Sequence, residues 1–298
     1  MQTTLDCLPC FLRQALYTAR IATDSVARHQ EILARAAHLL PEFDLAVSPP
    51  ENAIHLYRMI AELAGNPDPF AALKAESNHF ALALRPELRE QIRQAADPLA
   101  TAVKFAIAGN VIDYGAHHQF DARGTIADCL AHPFAIDDYR QFRHDLAKAR
   151  KILYLADNCG EIVFDGLLIE ALGEKEVTVA VKERPIINDA LLPDALACGL
   201  GELCTVVSNG TDCPGTPLDR CGVEFQQLFR AADLIISKGQ GNFETLSEVS
   251  APIYFLLTVK CPVVVTHVNQ LAGGQANRRA ALGDMVLLRS GWPGTVNG

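Results

Sequence analysis

At 298 residues, the chain has room for two domains of about 150 residues each, or for one large α/β domain. Hydrophobic residues make up 49% and charged residues 20%, which excludes a disordered chain and allows a sizeable core. Against 35 Asp and Glu stand 26 Lys and Arg, a formal net charge of −9 that disfavours nucleic acid and anionic membranes as partners.

The longest apolar runs, such as Ile253 to Val259, have the length of a strand and fall well short of the roughly 20 residues that span a bilayer. The first six residues carry neither the basic nor the apolar segment of an export signal. Nine scattered cysteines, an odd number, fit reduced thiols better than a disulfide framework. The expectation is a cytoplasmic protein without a membrane partner; nothing in the sequence sets an oligomeric state.

The chain begins with helical periodicity. Phe11, Leu12, Ala15, Leu16 and Ala19 share one face of a helix over 10–22, and similar patterns run over 31–40, 53–64, 69–84 and 86–94. Turn and helix-start signals fall at Ser48-Pro49-Pro50, Gly65-Asn66-Pro67 and Asp97-Pro98. Residues 98–150 form a bridge of mixed texture, in which Asn110 and Asp113 follow an apolar, helix-like run over 102–108.

Beyond residue 150, short apolar runs alternate with helix-like segments at 162–172 and 218–232. The runs cover 151–156, 177–181, 204–207, 234–236, 253–259, 263–265 and 285–288. Runs buried on both faces and separated by helices predict a parallel sheet covered on both sides. The predicted architecture is therefore α/β: a three-layer α/β/α sandwich with a mostly parallel sheet over 98–298, preceded by a helical subdomain over 1–97.

Ligands of open parallel sheets sit outside the carboxyl ends of the strands. Here each strand end is polar: Asp157, Asn158 and Glu161; Lys182 followed by Asn188-Asp189; Ser208 to Asp212; Lys238-Gly-Gln-Gly-Asn242; and Lys260. Three of the chain's eight lysines lie on this edge, as compact cations suited to phosphate oxygens. Asp and Asn oxygens are the donors that Mg²⁺ or Mn²⁺ takes, whereas His267 is the only histidine near these ends, so zinc is not expected. Gly160, Gly239 and Gly241 precede or open helices, where backbone N–H groups attract phosphate. A single Asp-Asn after a strand is ordinarily a helix cap, and a single Lys-Gly a solvated loop. Five such ends together point to a shared metal and phosphate site.

Missing motifs exclude a P-loop NTPase and disfavour a serine hydrolase. There is no Walker A sequence, no Gly-x-Gly-x-x-Gly fingerprint and no Gly-x-Ser-x-Gly elbow. Cys7-Leu-Pro-Cys10 opens the first helix without the βαβ context of a thioredoxin-like motif or a second pair to complete a zinc knuckle. Structural thiols and a metal or redox role both stay open for it.

Four ordered stretches, Asp157-Asn-Cys-Gly-Glu161, Lys182 to Asp189, Ser237-Lys-Gly-Gln-Gly-Asn-Phe-Glu-Thr245 and Lys260-Cys-Pro, resemble the metal-dependent damage-control phosphatases. That family was long described as a domain of unknown function, with one branch described as an acidic-residue methyltransferase. Cys7-Leu-Pro-Cys10 with Arg13-Gln14, and Gly109-Asn110-Val-Ile-Asp113, are similar to its stand-alone prokaryotic branch. The resemblance implies Asp157, Asn158 and Asp189 as ligands of Mg²⁺, Mn²⁺, Co²⁺ or Ni²⁺. It implies phosphate contacts from Lys238, Gly239, Gly241, Asn242 and Lys260, and a substrate-facing Glu161. It places Asn110, Asp113 and Asp212 near the pocket.

The implied activity is hydrolysis of small phosphorylated metabolites, such as sugar phosphates or damaged phosphometabolites. Asp157, Lys238 and Lys260 would be the catalytic residues, with water or Asp157 itself as the attacking group. Two rivals from other classes are an S-adenosylmethionine-dependent carboxyl methyltransferase and a non-enzymatic module that binds a phosphometabolite or metal.

Overall fold

The computed structural model describes residues 1–112, 122–273 and 278–291. Helices α1 (Cys7–Ala22), α2 (Val26–Leu39) and α3 (Pro49–Ala64) form where the apolar spacing predicts them. A capping box between Ser48 and Glu51, with Pro49 in the first turn, starts α3, and Gly65 in the left-handed region (φ 66°) stops it. Phe11, Ala15 and Ala19 of α1, Ile32 and Ala36 of α2, and Leu56 and Ile60 of α3 close into a small core of their own.

Helix α4 (Ala71–Gln94) departs from the expected break before Pro86 and runs through that residue. A proline there removes one hydrogen bond and crowds the preceding turn. Ala81, Leu84, Leu88 and Ile92 nevertheless form one buried stripe across it, and their packing into the core of the sheet outweighs that local cost. The bridging stretch resolves into α5 (Pro98–Ile112), α6 (Ala122–Ala131), a two-residue strand β1 (Ile136–Asp137) and α7 (Tyr139–Lys148).

The remainder alternates: β2 (Lys151–Leu155), α8 (Glu161–Ala171), β3 (Glu176–Val181), α9 (Leu192–Ala197), β4 (Thr205–Ser208), α10 (Val223–Ala231), β5 (Leu234–Lys238), α11 (Gly239–Leu246), β6 (Ile253–Thr258), α12 (Pro262–Leu271) and β7 (Met285–Arg289). Val263 to Val265, expected as a strand, is instead the first turn of α12. Pro262 lies in that turn, Cys261 caps it, and Val264 and Val268 are buried one turn apart.

The seven strands form one sheet in the order β1-β7-β6-β5-β2-β3-β4. Strands β6, β5, β2, β3 and β4 are parallel, while β7 pairs antiparallel with β6. Alternation along the strands sends Ile152, Tyr154, Val179 and Ile236 to a core shared with α4, α5 and α8. Leu153, Leu155, Ile235 and Phe255 point the other way, to a core shared with α10, α11 and α12. These are the three layers predicted. Helix α3 packs on α11, which brings the N-terminal helices over the carboxyl ends of the strands.

Candidate active site

Strand β2 leads outward to β3 and β4, whereas β5 leads the other way to β6, so the order reverses between two adjacent strands, β2 and β5. A crevice opens at such a switch point. Leu155 pairs with Ser237, so Asp157-Asn158 and Lys238-Gly239 leave the sheet side by side. Pairing continues past β2: Cys159 N–H donates to Asn188 O at 2.9 Å, and an isolated bridge joins Asn158 to Asp189. That bridge brings Asp157 and Asn158 to Asp189, which follows Asn158 by 31 positions, and all three line one cavity of about 580 Å³.

Gly241 and the exposed Lys260 line the same cavity, as do Cys7, Cys10, Arg13 and Gln14 at the start of α1. Gly239 (φ 76°) is required by close approach: a Cβ on it would lie 1.9 Å from Asp157 Oδ2. A Cβ on Gly241 would lie 1.8 Å from the Pro214 carbonyl oxygen.

Lys238, expected to contact phosphate, does not line the cavity. It is fully buried, and its ammonium donates to Glu161 Oε1 (2.5 Å), Asp165 Oδ1 (2.6 Å) and Ala106 O (2.8 Å), which uses all three of its protons. Burial works against the charged lysine, but Asp165 and Glu161 outweigh it and raise its pKa. Glu161, expected to face substrate, is likewise fully buried beneath Asp157 and accepts from Asn110 Nδ2 (2.7 Å) and Asn158 Nδ2 (3.1 Å). Asn110 and Asn158 also donate to Asp157 Oδ2, at 3.1 and 2.9 Å. Asn110 is therefore at the site, behind the carboxylate it holds.

Asn242 braces the loops rather than meeting a ligand. Its amide donates to Ala156 O and Lys238 O, and its oxygen accepts from Thr216. Asp212 lies apart, paired with Arg58 at 2.6 Å on a neighbouring cavity of about 330 Å³. Asp113 lies outside the described residues. Gly160 N–H is taken by Asn78 Oδ1 at 2.6 Å, so it is not offered to an anion, and His267 bonds Ser247 away from the crevice.

The residues not foreseen are Asp165, Lys182 as a brace and Glu244. Lys182 lies 3.7 Å from Asp189 Oδ2 and donates to Gly215 O. Asp165 follows Glu161 by one helical turn of α8, a spacing visible in the sequence that gains meaning only once Lys238 is known to point inward.

Burial and the neighbouring Glu161 push the Asp157 carboxyl up to about 6, against the pull of Lys260, Lys182 and Lys238. A desolvated carboxylate beside a second one is a place where a cation is favoured. Among the described residues no group of three or more His, Cys, Asp or Glu side chains is arranged to hold a metal. The donor set is two carboxylates and an amide, all hard oxygens, with the buried Asn110 Oδ1 close by and unpartnered. Such a set fits an ion that keeps part of its water shell.

Residues 3–274 match the model of the damage-control phosphatase ARMT1-like domain. The chain belongs to this family. A damage-control phosphatase from Pyrococcus horikoshii is 36% identical over 270 residues, covering 89% of this chain and 93% of that protein. A protein named damage-control phosphatase from Archaeoglobus fulgidus is 32% identical over 278 residues, covering 90% and 95%. The crystal structure of a family protein from P. horikoshii superposes with a TM-score of 0.87 at 34% identity, over 97% of this chain and 99% of that one. The ARMT1-like fold accounts for the α/β/α architecture with its N-terminal helices. Among the described residues no helix is long and apolar enough to cross a membrane.

Proposed function

We propose that this chain hydrolyses phosphate monoesters of small metabolites with the help of a divalent cation, Mg²⁺, Mn²⁺, Co²⁺ or Ni²⁺. The observation that carries the reading is the charge on the cavity wall. Asp157 and Asp189 come together there beside the Asn158 amide, and Asp6 joins them on the same wall, against Arg13 and Lys260 as cationic side chains. A phosphate dianion entering that field is repelled unless a cation inverts it. Relatives named damage-control phosphatases at 32% and 36% identity support the same chemistry.

Asp157, Asn158 and Asp189 would hold the ion, which when bound supplies Lewis-acid polarisation of a phosphoryl oxygen and a more acidic water. The chain's own residues do the rest. Asn110 and Asn158 orient Asp157 by hydrogen bonds to Oδ2. Lys238 binds Glu161 and Asp165 underneath and holds both carboxylates off the cavity wall. Lys260 on the rim and Arg13 on α1, which both line the cavity, would draw the anion in and bind its oxygens. A cavity of about 580 Å³ has the size of a small-metabolite site.

Binding of Mn²⁺, followed by electron paramagnetic resonance, tests the ligand set. One site is expected in the wild type and in Lys260→Ala, and none of comparable affinity in Asp157→Ala or Asp189→Ala. Undiminished binding in both aspartate variants would remove the proposed centre.

A further inference from the structure

Glu244 sits on the face of α11 that meets the cavity, one turn after Gln240 and next to Gly241 on that wall. The residue is 8% exposed. Asp157 is held by the amides of Asn110 and Asn158, whereas Lys238 pairs with Glu161 and Asp165, and Lys182 lies 3.7 Å from Asp189. Glu244 Oε1 instead accepts from a neutral amide, Gln240 Nε2, at 2.8 Å. Gln240 Oε1 in turn accepts the Lys260 N–H at 3.0 Å, so one glutamine fixes the carboxyl of Glu244 relative to the rim that carries Lys260. The Met1 ammonium reaches the Glu244 backbone oxygen at 2.7 Å and its ion pair is with Glu248. No histidine is among the described residues lining this cavity.

We propose that Glu244 is the catalytic acid that protonates the departing oxygen of the substrate. This inference rests on the phosphatase reading and assigns a step that reading leaves open. An alkoxide is a poor leaving group, and a positioned acid removes that barrier. As water forms its bond to phosphorus and the ester P–O bond breaks, the electron pair on the ester oxygen takes the Glu244 proton and leaves as the alcohol. The attacking water gives up one proton to solvent, and the Glu244 carboxylate is reprotonated from solvent. Overall, the monoester and water become alcohol and inorganic phosphate. Burial, with Asp157 adding to it, lifts the Glu244 carboxyl to about 7, against the Gln240 hydrogen bond and the Met1 ammonium.

The test compares two esters on the metal-loaded full chain: glycerol phosphate, whose alcohol needs a proton to leave, and p-nitrophenyl phosphate, whose phenolate does not. Glu244→Gln should lower kcat on glycerol phosphate about 10²-fold or more while keeping p-nitrophenyl phosphate within about threefold, in line with the usual contribution of a general acid. Retained aryl turnover also shows that the variant is folded. Glu244→Asp, which keeps an acid, should show a milder loss confined to glycerol phosphate. An equal loss on both esters in both variants, or no loss on either, overturns the assignment. Absence of turnover of either ester by the wild type with every metal would instead count against the phosphatase reading itself.

Discussion

The Lys238 ammonium donates to Glu161 Oε1 at 2.5 Å, and neither side chain is exposed. Asp165 joins them at 2.6 Å from the same nitrogen, and Tyr154 donates to Asp165 Oδ1 at 2.6 Å. The group ties the end of β5 to the first turns of α8, directly behind Asp157. The group holds Asp157 and its neighbours in place from inside the protein, with one ammonium between two carboxylates.

Removing the cation from such a group leaves two buried carboxylates without compensation. Lys238→Met should therefore lower stability by about 3–5 kcal/mol, read from the urea midpoint. A fall of less than about 1 kcal/mol, the range of a surface pair, would show that the lysine is solvated after all.

Gly239→Ala tests the close approach of the two strand ends. The added Cβ meets Asp157 Oδ2 at 1.9 Å and φ is 76°, so either the carboxylate or the turn must move. Mn²⁺ affinity measured by calorimetry should drop at least about tenfold, since ligand position is what the substitution disturbs. Unchanged affinity would mean that Asp157 is not held where the geometry puts it.

Lys260 is exposed at the cavity mouth, and its effect should be on capture of the anion. Lys260→Ala is expected to raise KM for a phosphate ester by about tenfold with a smaller change in kcat, the pattern of an interaction made equally in ground and transition states. A loss confined to kcat would place the lysine on the transferring group instead.

Cys7 and Cys10 line the cavity, yet the proposed ligand set is entirely oxygen. A Cys7→Ser/Cys10→Ser double variant should keep its metal content and its phosphate release within about twofold, because thiolates are not ligands that a hard cation of this kind selects. Loss of metal on that double substitution would transfer the centre to the thiols.

The layers and the convergence of the strand ends on one cavity were legible because they follow from one-dimensional signals. Apolar runs ending in polar residues mark strands and their carboxyl ends, and Asp157, Asn158, Asp189, Gly241 and Lys260 do meet in one cavity. What the sequence hid was direction. Lys238, at the end of β5, and Glu161, at the start of α8, sit beside the right loops but point inward, because the Lys238 ammonium is taken by Glu161 and by Asp165 one turn along α8. Val263 to Val265 read as a strand because three β-branched residues in a row suit one, and Pro262 with the Cys261 cap reversed that preference. Asp212 was near in sequence to a strand end but is drawn to Arg58 of α3, a tertiary partner that no local pattern announces.

The central claim is that Asp157, Asn158 and Asp189 form a metal centre that makes this cavity a phosphatase site. It is tested most directly by phosphate release from a panel of phosphate esters, after chelator has stripped the protein and Mg²⁺, Mn²⁺, Co²⁺ or Ni²⁺ has been returned singly. Turnover should be absent in the stripped protein, return with at least one of these ions, and be lost again in Asp157→Ala. Turnover that survives stripping, or that Asp157→Ala retains with metal restored, would contradict the claim.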